Sequence, residues 1–205
     1  LDIVVAVSLL AGTMRRTRLA DWINAKRVLR YLKGTKNLGL SYSKERKEFF
    51  GYSDASYAEE EDRKSVSGYI FMYAGAAISW RSQRQNIVAQ SSAEAEYIAL
   101  AEASKEAIWL RKMAKDFEMK IDRPLLIYED NQSAIKLANN PLHTKRSKHI
   151  DVQYHAIREY INNNLIIVKY LPTDQMVADL CTKSLAKVLH TKFSTAMGLI
   201  KINNQ

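Results

Sequence analysis

The chain has 205 residues, enough for one ordinary domain and a short appendage, with 47% hydrophobic and 26% charged residues, as in soluble globular proteins. Thirty-one Lys+Arg against 22 Asp+Glu give a formal charge of +9 and a pI near 9.5, which favours a polyanionic partner, nucleic acid before membrane, since Tyr and Trp are interleaved with the basic residues. A lone cysteine, Cys181, excludes an internal disulfide and any zinc site built on several cysteines, and fits a reducing compartment. No stretch approaches the ~18 apolar residues of a membrane helix. The opening run Leu1 to Val7 has no basic leader or cleavage site, so no signal peptide is expected. Without an initiator Met, the chain is expected to be cut from something longer, resident in the cytoplasm or nucleus and not secreted.

In chain order, Trp22, Ala25, Leu29 and Leu32 recur at helical spacing with Lys26, Arg27, Arg30 and Lys33 on the other faces, and Gly34 follows as a stop. Near residue 47 the period changes. Phe50, Tyr52 and Asp54 alternate with Phe49, Gly51 and Ser53, which predicts a strand. Residues 67–73 and 76–81 predict two more strands joined by a turn at Ala74-Gly75, and a long helix is expected over 92–117. Residues 125–130 form a short apolar run of the kind buried on both faces. Helices over 132–139 and 148–161, a fifth strand over 165–171 ended by Pro172, and a last helix over about 174–190 complete the series. The order predicts an α/β fold: a mixed five-stranded sheet flanked by helices, with an N-terminal helical appendage.

Four carboxylates stand where strands end or helices begin. Asp54 shares a strand face with two aromatics, which suits a strand-end turn or a site equally. Ser91-x-x-Glu94 has the form of a capping box, so Glu94 is expected to reach back to the helix start. Glu96 heads the stripe Glu96, Leu100, Ala103, Ala107, Leu110, Ala114, Phe117, the face turned to the sheet. An ionised group there is costly unless paired or bound to a cation, although a Glu near a helix N-terminus is also favoured by the dipole when solvated. Asp130 ends a strand and either joins a site or caps the next helix. Its neighbour Glu129 is expected to point to the opposite side. Asp179 has no capping duty, which leaves a site role or simple exposure. Converging acids raise one another's pKa unless cations offset them. Oxygen-only ligands favour Mg²⁺ or Mn²⁺, and two such ions can drive phosphodiester hydrolysis.

Several motifs in order carry a resemblance. Gly51-Tyr52-Ser53-Asp54-Ala55, Asp62-Arg63-Lys64-Ser65-Val66-Ser67-Gly68-Tyr69 and Ser91 to Leu100 are followed by Glu129-Asp130-Asn131-Gln132-Ser133-Ala134, Ser147-Lys148-His149-Ile150-Asp151 and Ala178-Asp179-Leu180-Cys181-Thr182-Lys183. Together they resemble the ribonuclease H domain of copia-type retrotransposon Pol polyproteins. The resemblance implies a ribonuclease H-like fold and hydrolysis of the RNA strand of RNA–DNA hybrids, with Asp54, Glu96, Asp130 and Asp179 as catalytic ligands of two Mg²⁺. The stretches 2–7 and 25–35 are similar to the segment that ends the reverse transcriptase. That implies a polymerase remnant over 1–45, ribonuclease H over 46–190 and a tail over 191–205, with the upstream reverse transcriptase as a partner. The segment Leu171-Pro172-Thr173-Asp174 lacks the histidine that many ribonucleases H carry there; Glu129 stands where a small or apolar residue is expected, and Ser184 where the family usually has Pro.

Ser92, Asn131 and Gln132 are candidate contacts to 2′-hydroxyls, with helix capping as the competing role. Lys145, Arg146, Lys148 and His149 form a basic run that suits a phosphate contact or a solvated face. Trp80 and Trp109 are expected in the core. Two other functions remain open on sequence: a catalytically silent nucleic-acid-binding or interaction module of the same fold, and a carboxylate nuclease of integrase type.

Overall fold

The computed structural model describes residues 2–58, 63–119, 121, 123–139 and 148–202. The elements run α1 (Val4–Thr13), α2 (Leu19–Thr35), β1 (Leu38–Leu40), β2 (Phe49–Ser56), β3 (Val66–Tyr73), β4 (Ala76–Arg84), α3 (Ser92–Asp116), β5 (Leu125–Glu129), α4 (Gln132–Asn139), α5 (Lys148–Asn162), β6 (Ile166–Tyr170), α6 (Asp179–Thr182), α7 (Lys187–Ala196) and β7 (Leu199–Lys201). Asp62, Lys145 and Arg146 lie outside the described residues, as do the side chains of Lys148 and His149.

Five strands form one mixed sheet in the order β4-β3-β2-β5-β6, the ribonuclease H-like arrangement expected. β2, β3 and β4 are an antiparallel meander, and β5 and β6 extend it in parallel. Ala74 and Gly75, both at positive φ, make the two-residue turn between β3 and β4. β2 is central, and its parallel register with β5 pairs Tyr52 with Tyr128. Two residues further along each strand, that register brings Asp54 level with Asp130.

Each sheet face buries its own core. On one side α3 lays Tyr97, Leu100, Ala103, Ala107 and Leu110 against Tyr69 and Phe71 of β3 and Leu125 and Ile127 of β5, with Ile157 of α5 closing the layer. The alanines let the long helix lie close to the strands, so a 25-residue helix is held along much of its length. Phe117, expected at the end of this stripe, lies past the helix end and is 70% exposed. The opposite face buries Ile70 and Met72 under Val177, Leu180, Cys181, Phe193 and Met197.

Several expectations are corrected. The last helix is not continuous over 174–190. A 3₁₀ turn at Thr173–Gln175 is followed by the short α6 and, after a break, by α7. Met176 and Lys183 adopt extended backbone, and every residue from Met176 to Thr182 is buried, more than one helical stripe could bury. Residues 191–201, read as tail, carry the end of α7 and β7, which pairs with β1 of the N-terminal segment. That segment is also tied down by Tyr31, which donates to the Asp2 carboxylate, and by a His190 contact to the Asp2 carbonyl. Trp80 and Trp109 are 40% and 54% exposed and not in the core: Trp80 lies on the edge strand, and Trp109 on the solvent side of α3. β5 is fully buried only on its α3 face, and Tyr128 on the other is half-buried and stacked on Tyr52. No helix among the described residues is long and apolar enough to cross a membrane.

Gly68 in β3 pairs with Asp54 and lies directly under α6. A Cβ there would meet Thr182 Cγ2 at 2.6 Å and Cys181 Cβ at 2.7 Å. Gly68→Ala is therefore expected to push α6 off the sheet and destabilise the fold by roughly 1–3 kcal/mol, read as a lower urea midpoint; a midpoint equal to the parent's refutes this account of the packing.

Candidate active site

Four side chains meet at one end of the sheet, each delivered by a different element. Asp54, wholly buried, comes from the body of β2, which continues past it to Ser56. Glu96 comes from the second turn of α3. The start of that helix is fixed by Gln85, which donates to both Ser67 Oγ (2.8 Å) and the Ala95 carbonyl (2.9 Å). Asp130 follows the end of β5, and its Oδ2 accepts from Thr173 Oγ at 2.7 Å. Asp179 opens α6. Carboxylate oxygens of Asp54, Glu96 and Asp130 all lie within 4.8 Å of one another, a spacing that a single cation can span.

Asp179 joins through a different contact. Lys183, one helical turn on, places Nζ 2.7 Å from Asp179 Oδ1 and 3.0 Å from Asp54 Oδ1. Thr182 donates to the other Asp54 oxygen. Burial alone lowers the Lys183 pKa, but Asp54 and Asp179 more than reverse this, so the ammonium is held charged.

The acids respond to burial first and to one another second. Glu96 is pushed up to about 11, by desolvation and then by the charges of Glu129, Asp54 and Asp130. Desolvation and Asp54 raise Asp179 to about 7. Asp130, half-buried, is raised by desolvation and less strongly opposed by Thr173. Two carboxylates under 5 Å apart repel by roughly 3 kcal/mol even at an effective dielectric near 20, so the cluster requires protons or cations.

Glu129 is a member that sequence reasoning underrated. It lies on the α3 face of β5, as strand alternation predicts, yet is wholly buried and close enough to Glu96 and Asp54 to couple with both. Burial drives its pKa well up. One oxygen of Glu129 and one of Glu96 are buried without a hydrogen-bond partner, so two elements each carry an unused buried acceptor. Lys183 and Thr182 were also missed as site residues. The spacing Asp179-x-x-x-Lys183 is the available signal, since residues four apart share a helix face.

The other expectations divide. Ser91, not Ser92, caps α3, with its Oγ accepting from the Glu94 backbone, while Glu94 accepts from the backbone of Gln90. Ser92 is left exposed at the helix start, and Gln132 is exposed at the start of α4. Asn131 is the cap of α4, accepting from Ser133 N (2.9 Å) and Ala134 N (3.1 Å), so this duty does not fall to Asp130. Lys148 and His149 open α5, where the structure describes the helix and not their side chains.

Two outcomes follow. A carboxyl whose folded pKa lies above its unfolded value binds its proton more tightly when folded, so stability is lost as pH rises between the two values. In chelator, the melting temperature should therefore fall from pH 5 to pH 9 as Asp179 and then Glu96 are forced toward charge. Glu96→Gln should flatten this fall and melt at least ~3 °C above the parent at pH 9; parallel pH curves for the two proteins contradict the assignment. Asn131→Ala should cost about 1 kcal/mol through loss of the cap, measured by urea denaturation, and a neutral result shows that the cap is not in use.

No protein-family model matches the chain. Among solved structures, LC11 ribonuclease H1, crystallised in complex with RNA/DNA hybrid, aligns with a TM-score of 0.48 and 14% identity, over 66% of this chain and 94% of that one. At that distance the fold assignment stands on strand order and register alone. Sequence relatives are nearer. The retrovirus-related Pol polyprotein from transposon TNT 1-94 of Nicotiana tabacum is 37% identical over 204 residues, 99% of this chain and 15% of that protein. That from transposon RE2 of Arabidopsis thaliana is 36% identical over 203 residues, 98% of this chain and 14% of that protein. The chain thus corresponds to a small part of the curated relatives it matches, but nearly all of it is matched. Over nearly its whole length the chain is similar to the Pol polyproteins of these transposons.

Proposed function

We propose that this chain hydrolyses the RNA strand of RNA–DNA hybrids endonucleolytically, as the ribonuclease H part of a retrotransposon Pol polyprotein. The observation that carries the reading is the meeting of Asp54, Glu96, Asp130 and Asp179, drawn from β2, α3, the end of β5 and α6, at one sheet end. Their oxygens, including a buried unpartnered one on Glu96, suit hard divalent ions, Mg²⁺ or Mn²⁺. Asp54, Glu96 and Asp130 would hold one ion, and Asp54 with Asp179 the second. Ions held there would supply charge stabilisation for hydrolysis of a phosphodiester.

The protein's own groups do the positioning. Thr182 and Thr173 fix one oxygen each on Asp54 and Asp130, and so aim the remaining lone pairs at the centre. Ser92 and Gln132, exposed at the starts of α3 and α4, would contact 2′-hydroxyls. Lys148 and His149, at the head of α5, belong to the proposed grip on the backbone, and the charge of +9 favours a polyanion. The exposed apolar residues Trp22, Leu29 and Leu32 of α2 are suited to face an upstream reverse transcriptase domain.

The chain should be incubated with labelled hybrid, duplex DNA and duplex RNA in Mg²⁺, Mn²⁺ and chelator. Metal-dependent loss of the hybrid's RNA strand alone is the expected result. Binding without cutting marks a silent module, and cleavage of duplex DNA an integrase-type nuclease. Asp130→Asn should slow cleavage by roughly 10²-fold or more while hybrid binding persists; normal cutting by this variant rejects the site.

A further inference from the structure

Within the carboxylate centre proposed above, the four acids are not equivalent. Asp54, Glu96 and Asp130 form a set whose oxygens converge. The Asp54–Asp179 edge is already bridged by the Lys183 ammonium at 3.0 and 2.7 Å. We propose that Lys183 is a built-in counter-cation that holds this edge together and sets the order of ion binding, so that one divalent ion enters the Asp54–Glu96–Asp130 set freely and a second enters only by displacing Lys183.

Four features support this. The contact is made at hydrogen-bond distance to two carboxylates on different elements, β2 and α6, so Lys183 spans the gap between them as an ion would. Its side chain is 27% exposed, against 0% for Asp54 and 8% for Asp179, so Lys183 borders water more than its partners do. The four-carbon stem gives a flexible, compact charge that can leave and return without moving α6. Thr182 keeps its own bond to Asp54 throughout, so the carboxylate stays aimed when Lys183 departs. An occupied edge lowers the apparent affinity for the second ion by the fraction of molecules in which it is free. Lys183 is on this view a positioning residue, acting on the substrate only through Asp54 and Asp179.

The inference rests on the carboxylate-centre reading, and calorimetric titration of the full chain with MnCl₂ separates the two. The parent should bind one equivalent readily and a second weakly, and Glu96→Gln should weaken the first event. Lys183→Met should tighten the second event about tenfold or more and leave the first nearly unchanged. Lys183→Arg, which keeps the charge, should leave the second event weak. In chelator Lys183→Met should melt below the parent and recover with Mn²⁺, because ion and ammonium are interchangeable. If Lys183→Met folds only with Mn²⁺ and then holds two equivalents, the proposal is supported; if saturating Mn²⁺ does not restore it, Lys183 is merely structural and the proposal fails. An unchanged second event in Lys183→Met, beside a normal first one, overturns this inference alone. Absence of any binding by the parent, or a first event indifferent to Glu96→Gln, overturns the carboxylate centre itself.

Discussion

Asp54, Glu96 and Glu129 are carboxyls withdrawn from water within reach of one another, and such a group of like charges persists only with protons or cations to offset it. That constraint shapes the surrounding structure. Glu96 and Glu129 hold their protons far above the ordinary carboxyl range, Thr182 and Thr173 donate to Asp54 and Asp130, and Lys183 inserts a positive charge where Asp179 and Asp54 meet. A fold that pays this electrostatic cost at one sheet end, while packing both faces of the sheet with aliphatic and aromatic side chains, concentrates its instability at that end.

The scaffold explains how the acids are brought together. A parallel register sets Asp54 level with Asp130, an alanine-rich face lets α3 lie close to the sheet, and a missing Cβ at Gly68 admits α6 from the opposite side. Glu96 and Asp179 therefore approach Asp54 from opposite layers. The central strand is the meeting point because β2 lies in the middle of the sheet, paired with β3 and β5, with α3 over one face and α6 over the other.

The N-terminal segment is joined to the C-terminus by the β1–β7 pair and by Tyr31, Asp2 and His190, while α2 buries none of its residues and leaves an apolar stripe facing water.

By itself the sequence determined the elements whose period is long and regular: the five main strands, the long helix with Glu96 on its buried face, and the candidacy of four scattered acids. The tertiary structure alone decided what depends on partners distant in the chain. Short β1 and β7 exist through each other, having too few residues for a period of their own. The broken path of residues 173–196 follows from how much apolar surface the sheet can cover. Trp80 and Trp109 are exposed because the sheet ends at β4 and α3 has an outer side, neither of which composition encodes. Glu129 and Lys183 became members of the site through burial and charge proximity, quantities set by elements more than 50 residues away in the chain (Lys183 lies 129 residues from Asp54). Local periodicity reports which way a side chain faces, and only the packed fold reports what it meets there.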